Sequence, residues 1–377
     1  MAESTRAQEY ISSRLLPLFV ALSCLLLLAC TGDPAPERAP PFPDREDIAA
    51  TIAERADVIF NMDQVRAIVA ATDDRIVFEQ YYGADENDYW NVYSITKSVI
   101  STLVGIALDE GLIDSLDDTL AELLPGYADD MPPAVAGATL HQLLTMTAGF
   151  PAGQEAAGPA FTQAEDWVHE ILATPASPPG GPFLYSNGTS HLLAAILEEA
   201  TGSSALEFAR SRLFGPLGID TRPAMRGIVT PTENLAAHEK AGFAWPVDPQ
   251  GVNTGWWGLK LQPRDMVKLG QLFLADGLWE GQQVVPADWV DQATTQHVDV
   301  DDNYGYGYQW WTGTADESVA FQAIGYGGQL IEVVPDRHLV VVTTTEAHLD
   351  DATRHGIDPD LLLTILDDAI VSRIPAE

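Results

Sequence analysis

The chain has 377 residues, with 55 Asp and Glu against 19 Lys and Arg, a net charge of −36, and an apolar share of 46%. That share suits a globular protein with a buried core, whereas so negative a surface repels nucleic acid and anionic lipid. The acids are spread along the chain, which reads as a solvated acidic coat and not as an acidic tail.

Arg14 precedes LLPLFVALSCLLLLAC. The apolar stretch from Leu15 to Ala29 is short for a membrane span and has the length and flank of a secretory leader. It ends in Leu27-Leu28-Ala29-Cys30, which is similar to the cleavage box of bacterial lipoproteins. The expectation is a leader over 1–29, lipidation of Cys30, and export across the inner membrane to the periplasm or outer membrane. Such a protein is held by a lipid anchor and does not span the bilayer. Both cysteines, Cys24 and Cys30, lie here, so cleavage before Cys30 leaves no pair for an internal disulfide. TGDPAPERAPPFPD follows, rich in Pro and charge, and residues 30–45 read as a flexible linker.

From Arg66, RAIVAATDDRIVFEQYYG reads as two strands around an Asp73-Asp74 turn. An apolar run from Ser94 (Ile95, Val99, Ile100, Leu103, Val104, Ala107, Leu108) ends at Glu110-Gly111 and predicts a mostly buried helix with a Gly stop. TLHQLLTMTAGF predicts a helix closed by Gly149. SHLLAAILEEATG over 190–202 and DMVKLGQLFLADG over 265–277 have helical spacing. Then VAFQAIG, GQLIEVVP and HLVVVTTT are short β-rich runs between turns, and LLLTILDDAIVSRI predicts a closing helix. Strands early and late with helices between predict an α+β fold: an antiparallel sheet built from both ends of the chain, flanked by helices, with a mainly helical region inserted. The sheet part covers about 46–90 and 265–377, and the helical part about 91–264. A cleft between the two is a natural small-molecule site.

Ser94 and Lys97 lie three apart in YSITKSV, at the head of the first helix. A serine hydroxyl needs a base beside it to act as a nucleophile, and residues three apart on a helix share a face. Ile95, Val99 and Ile100 would desolvate the lysine and lower its pKa. The helix start adds unpaired N–H groups near Ser94, suited to a developing oxyanion. A bland alternative is a capping serine beside a surface lysine. Against it, the chain has four lysines, and Lys240, Lys260 and Lys268 have no serine three residues before them.

Two later stretches complete a pattern. FLYSNGTS holds Tyr185-Ser186-Asn187, and AIGYGGQLIEV holds Tyr326-Gly327-Gly328-Gln329. With YSITKSV they give the three-box order of the penicillin-recognising serine hydrolases. These boxes, with WNVYSITKSV, TLHQLLTMTAGF, WWGLKLQPRDMVKLGQLFLADGLWEGQQVVPADWV, YGYGYQWW and GYGGQ, resemble the class C β-lactamase-like branch. Within it the chain looks most like the 6-aminohexanoate-dimer hydrolases and related family VIII-type esterases, over roughly residues 46 to 377. The resemblance implies a β-lactamase/transpeptidase-like fold and an acyl-enzyme mechanism without metal or organic cofactor. It implies Ser94 as nucleophile, Lys97 as its proton acceptor, and Tyr185 as a phenolate-like base or proton relay to the leaving group. Asn187 would orient Lys97 and the substrate. The backbone N–H groups of Ser94 and Gln329 would hold the oxyanion, with Gly327 and Gly328 allowing close approach of the strand.

The third box departs from the β-lactamase and transpeptidase pattern, where Lys or His binds a substrate carboxylate; Tyr326 stands in that place and carries no positive charge. The expected substrate is therefore a small carboxylic ester or linear amide. The alternatives are a β-lactamase or D-Ala-D-Ala carboxypeptidase, or a non-catalytic envelope protein that binds peptidoglycan fragments or β-lactams. Tyr89-Trp90-Asn91 is a second Tyr-x-Asn. Trp245, Trp256, Trp257, Trp310 and Trp311 can be core or can line an apolar pocket, and core is the expectation for each. No Gly-x-Ser-x-Gly elbow or His-Glu-x-x-His pair occurs. DVDDNYG from Asp299 reads as an acidic turn and not a calcium loop, because its Gly is one place late and the twelfth position is Trp310.

Overall fold

A computed structural model describes residues 64–376 apart from 74, 152–159, 175–176, 231–232 and 348–355, together with Glu46 and Ala50. The expected leader, Cys30 and the expected linker lie outside the described residues, as does Asp74 of the first expected turn.

The two early runs form β1 (Val65–Ala71) and β2 (Ile76–Tyr81). Six more strands come late: β3 (Val298–Asp299), β4 (Gly305–Tyr306), β5 (Trp311–Ala315), β6 (Ser318–Gly325), β7 (Gln329–Val334) and β8 (Leu339–Thr345). They make one sheet in the order β2-β1-β8-β7-β6-β5-β4-β3. Every neighbouring pair is antiparallel. β1 closes onto β8, so the sheet joins the two ends of the domain and leaves 90–261 to the helical region. β3, β4 and β5 are short, with Gly and aromatic residues in β4 and β5, and they carry no alternating pattern that marks a strand.

The central strands are covered on both faces, which explains their unbroken apolar runs. Ala67, Val69, Ile331, Val333, Val340 and Val342 point to one face and join the main core. Ile68, Ala70, Leu330, Val334, Leu339 and Val341 point to the other, against Leu362, Leu363, Ile365 and Leu366 of the closing helix. The first face is packed by α1 (Ile95–Asp109) and α4 (Pro263–Leu274), and α1 also crosses α3 (Asn187–Thr201). The closing helix, α5, runs Pro359–Ala369. α1 is buried at every position from Ile95 to Ala107, its polar side chains included. Its hydroxyls tie it inward: Ser98 Oγ donates to the Gln309 carbonyl at 2.7 Å and Ser101 Oγ to the Tyr308 carbonyl at 2.6 Å.

One expected helix is shorter than its sequence pattern. TLHQLLTMTAGF is helical only as α2 (Leu140–Leu144), because Met146 turns to φ 59° and Thr145 Oγ1 bonds back to the His141 carbonyl. Of the five tryptophans, Trp245, Trp256, Trp257 and Trp310 are buried and Trp311 is partly exposed. In DVDDNYG, Asp301 Oδ1 accepts the N–H groups of Asn303 and Tyr304 and so closes the turn between β3 and β4. Among the described residues no helix is long and apolar enough to cross a membrane.

Candidate active site

Ser94 stands at the N-terminus of α1, on a turn with unusual backbone. Tyr93 has φ 47°, a left-handed conformation that a non-glycine residue adopts only when its surroundings enforce it. Asn91 supplies part of that enforcement, since its Oδ1 accepts the Tyr93 N–H at 3.0 Å and the Gly258 N–H at 3.2 Å. The second Tyr-x-Asn thus shapes the turn that carries Ser94. The turn presents the Ser94 hydroxyl while the Ser94 N–H has no acceptor among the described residues.

One helical turn on, Lys97 is 1% exposed. Its Nζ lies 3.1 Å from Ser94 Oγ, 2.8 Å from Asn187 Oδ1 and 3.3 Å from the Trp256 carbonyl oxygen. Burial holds the amine well below its ordinary pKa. Asn187 Oδ1 and the Trp256 carbonyl oxygen accept from the amine, whose third contact is the Ser94 hydroxyl.

Tyr185 enters from the loop before α3. The Leu184 N–H donates to the Met146 carbonyl at 2.9 Å, and Ser186 caps α3 by accepting the Thr189 N–H at 3.3 Å. The partly buried Tyr185 ring stacks on Trp311 at 5.7 Å between centroids and lies 4.7 Å from Lys97 Nζ. Burial pushes its phenol up to about 12, and a hydrogen-bond contact with Ser94 acts in the opposite direction. Ser94, Lys97, Tyr185 and Asn187 therefore converge, although 93 positions separate the first from the last.

The third box meets the serine at a different residue from the one its glycines suggest. Gly325, the last residue of β6, lies against the Ser94 turn, and a Cβ there would stand 2.4 Å from the Val92 carbonyl oxygen. The next residue, Tyr326, packs its ring edge on Tyr93 at 5.4 Å, and its N–H has no acceptor among the described residues. Gly327 and Gly328 occupy the β6–β7 turn, with φ 76° and 95°. The Gly327 carbonyl accepts Thr345 Oγ1 and the Ile357 N–H, and Gly328 faces Leu362, Thr345 and Ile357. Gln329 pairs with Gly325 in the hairpin and donates its amide to Thr345. Close approach is thus made by Gly325, while Gly327 and Gly328 serve the turn; a glycine required for space and one required for positive φ look alike in sequence.

Other parts of the site had no signal in the sequence. The Trp256 carbonyl is a backbone acceptor delivered by a loop 159 residues from Lys97. Among the described residues, no group of three or more His, Cys, Asp or Glu is placed to hold a metal ion.

A serine at a buried helix start, a desolvated lysine one turn away, a tyrosine before a second helix and a strand crossing behind are an arrangement suited to a serine hydrolase. The model for the beta-lactamase family matches residues 62–361, and the chain belongs to that family, whose members are serine hydrolases. The 6-aminohexanoate-dimer hydrolase of Paenarthrobacter ureafaciens is 25% identical over 320 residues, covering 77% of this chain and 75% of that protein. A family VIII carboxylesterase superposes with TM-score 0.66 at 17% identity, over 88% of this chain and 98% of that one. The octameric penicillin-binding protein homologue from Pyrococcus abyssi superposes with TM-score 0.65 at 17% identity, over 87% and 77%.

Proposed function

We propose that the protein hydrolyses a small carboxylic ester or linear amide through an acyl-enzyme on Ser94. The two titratable partners of Ser94 are pushed in opposite directions, which divides the acid and base roles. Lys97 is driven toward the neutral amine and takes the hydroxyl proton as Oγ attacks the carbonyl carbon. Tyr185, pushed up to about 12, stays a phenol at neutral pH and gives its proton to the leaving oxygen or nitrogen. The Lys97 ammonium then reprotonates Tyr185, so each proton is accounted for. Water repeats the sequence on the acyl-enzyme and releases the acid. The negative charge of each tetrahedral intermediate meets two backbone donors, the N–H groups of Ser94 and Tyr326. Tyr326 takes the place expected for Gln329, since its N–H is unclaimed and follows the strand residue nearest the serine turn.

The 3.1 Å contact of Lys97 Nζ with Ser94 Oγ, with both other amine partners in place, carries this reading. Neutral esters and linear amides are favoured over β-lactams and peptidoglycan peptides because Ala323, Ile324 and Tyr326 around Gly325 offer no cation for a carboxylate. The likeness to an amide hydrolase and to a carboxylesterase supports the same substrate class. The test is turnover of p-nitrophenyl butyrate beside nitrocefin. Ester hydrolysis abolished by Ser94→Ala, with nitrocefin turned over at least a hundredfold more slowly, is expected. Equal inertness of wild type and Ser94→Ala on both would favour a binding protein. We also propose that residues 1–29 are removed and that Cys30 carries lipid, as the Leu-Leu-Ala-Cys sequence suggests; loss of palmitate labelling in Cys30→Ser would support it.

A further inference from the structure

The acceptors that orient Lys97 are themselves braced by a buried pair that the acyl-transfer steps do not use. His191 lies one helical turn beyond Asn187 on α3, hence on the same face. Its Nε2 is 3.2 Å from Asp248 Oδ2, and both side chains are 0% exposed. Asp248 Oδ1 accepts the N–H groups of Gln250 at 2.9 Å and Val252 at 2.8 Å, so this carboxylate also shapes the loop that follows it. His191 Nδ1 has no partner among the described residues, which leaves the bond to Asp248 as the polar contact that sets the ring's orientation. The charge of Asp248 also acts on Glu198 of α3, which accepts the N–H groups of Ala205 and Asn253, and on Tyr127.

The ring in turn meets the loop that serves Lys97. Trp256 packs edge-on against His191 at 5.3 Å and 85°, and Phe161 stacks at 6.2 Å. Gly255 is pressed onto α3 so closely that a Cβ would stand 2.0 Å from the Ser190 carbonyl oxygen. The next carbonyl, that of Trp256, accepts from Lys97 Nζ at 3.3 Å. A histidine fixed at this contact therefore locates one amine acceptor through the Trp256 ring and the other, Asn187, through its own helix.

We propose that His191 and Asp248 are positioning residues for Lys97, which hold the Trp256 carbonyl and Asn187 so that the amine lone pair faces Ser94. Neither touches the reacting atoms. A buried polar pair is costly to assemble, and fixing a geometry is one use that offsets the cost. The pair acts on the orientation of the base and not on substrate binding, so its loss falls on kcat. This rests on the acyl-enzyme reading above.

The experiment measures kcat, KM and the pH profile of kcat/KM with p-nitrophenyl butyrate for His191→Phe, which keeps a ring against Trp256, and for Asp248→Asn, which keeps the shape. Thermal melting is followed in parallel, and Asp248→Asn decides alone should His191→Phe not fold. The expected result is a kcat lower by tenfold or more, KM within twofold of wild type, and an acid limb displaced by half a pH unit or more. A superimposable profile with unchanged kcat in a folded variant, or a loss confined to KM, would overturn the positioning role. Ser94→Ala is run beside them: inert Ser94→Ala with wild-type-like His191 and Asp248 variants sinks this proposal alone. Activity that survives Ser94→Ala removes the acyl-enzyme reading and this role with it.

Discussion

Glu332→Gln is expected to stabilise the protein at alkaline pH without changing its activity. Glu332 lies on β7 and points away from Ser94, toward α5, where it is 1% exposed. Its Oε1 accepts Gln322 Nε2 at 3.2 Å, and its Oε2 has no partner among the described residues. Burial, with Asp367 of α5 adding to it, raises this carboxyl to about 8. Asp367 itself is raised to about 6 by burial and then by Asp316. For Glu332 the folded value lies above the ordinary carboxyl value of 4.5, so near neutrality the native chain retains a proton that the unfolded chain has released. The contribution to stability is full below about pH 4.5 and is lost as pH rises through about 8. A displacement of this size corresponds to roughly 3–5 kcal/mol by linkage, as an upper bound. Glutamine keeps the acceptor for Gln322 and removes the charge. We expect about 2 kcal/mol of recovered stability at pH 8.5, a rise in Tm of about 3 °C at the ordinary unfolding entropy for a domain of this size. At pH 4.5 the difference should shrink to within about 0.5 kcal/mol. Calorimetric melts of both proteins across pH 4.5 to 8.5 test this. A Tm difference that does not grow with pH, or that favours wild type at pH 8.5, would refute the reasoning.

Three further outcomes bear on the site. Tyr185→Phe removes the proton donor and should cost about a hundredfold or more in kcat on an alkyl ester or anilide, whose leaving group must be protonated. On a p-nitrophenyl ester, whose leaving group departs as the anion, the loss should be at least tenfold smaller; equal losses would argue that Tyr185 acts elsewhere. Lys97→Arg places a permanent cation beside Ser94, and kcat should fall by about a thousandfold because guanidinium accepts no proton. Because burial lowers the Lys97 pKa, kcat/KM should fall as pH drops through the folded-state value and the amine protonates. A pH–rate profile whose rising limb sits near the ordinary lysine value of 10.5 would contradict a desolvated base.

Much of the fold was readable because its patterns are local. The buried α1, the late β runs and the Ser94–Lys97 spacing depend on residues near one another in the chain, and burial on all sides explains why they lack amphipathic alternation. The order of the three boxes likewise brought Tyr185 and Asn187 into the site. What stayed hidden depends on long-range or backbone geometry. The Gly-rich GYGGQ stretch suggested close approach at Gly327 and Gly328, whereas the strand ends at Gly325 and the later glycines are spent on positive φ. The Trp256 carbonyl carries no side-chain signature, and His191 finds Asp248 across 57 residues. Strands β3 to β5 are two to five residues long, too short for a period to register.

The most direct test of the central claim is mass mapping of the protein after reaction with a fluorophosphonate, which traps an activated serine. We expect one modified peptide with the adduct on Ser94, abolished by Ser94→Ala and slowed at least a hundredfold by Lys97→Arg. An adduct on any other serine, or equal labelling rates for wild type and Lys97→Arg, would contradict a serine activated by the buried amine beside it.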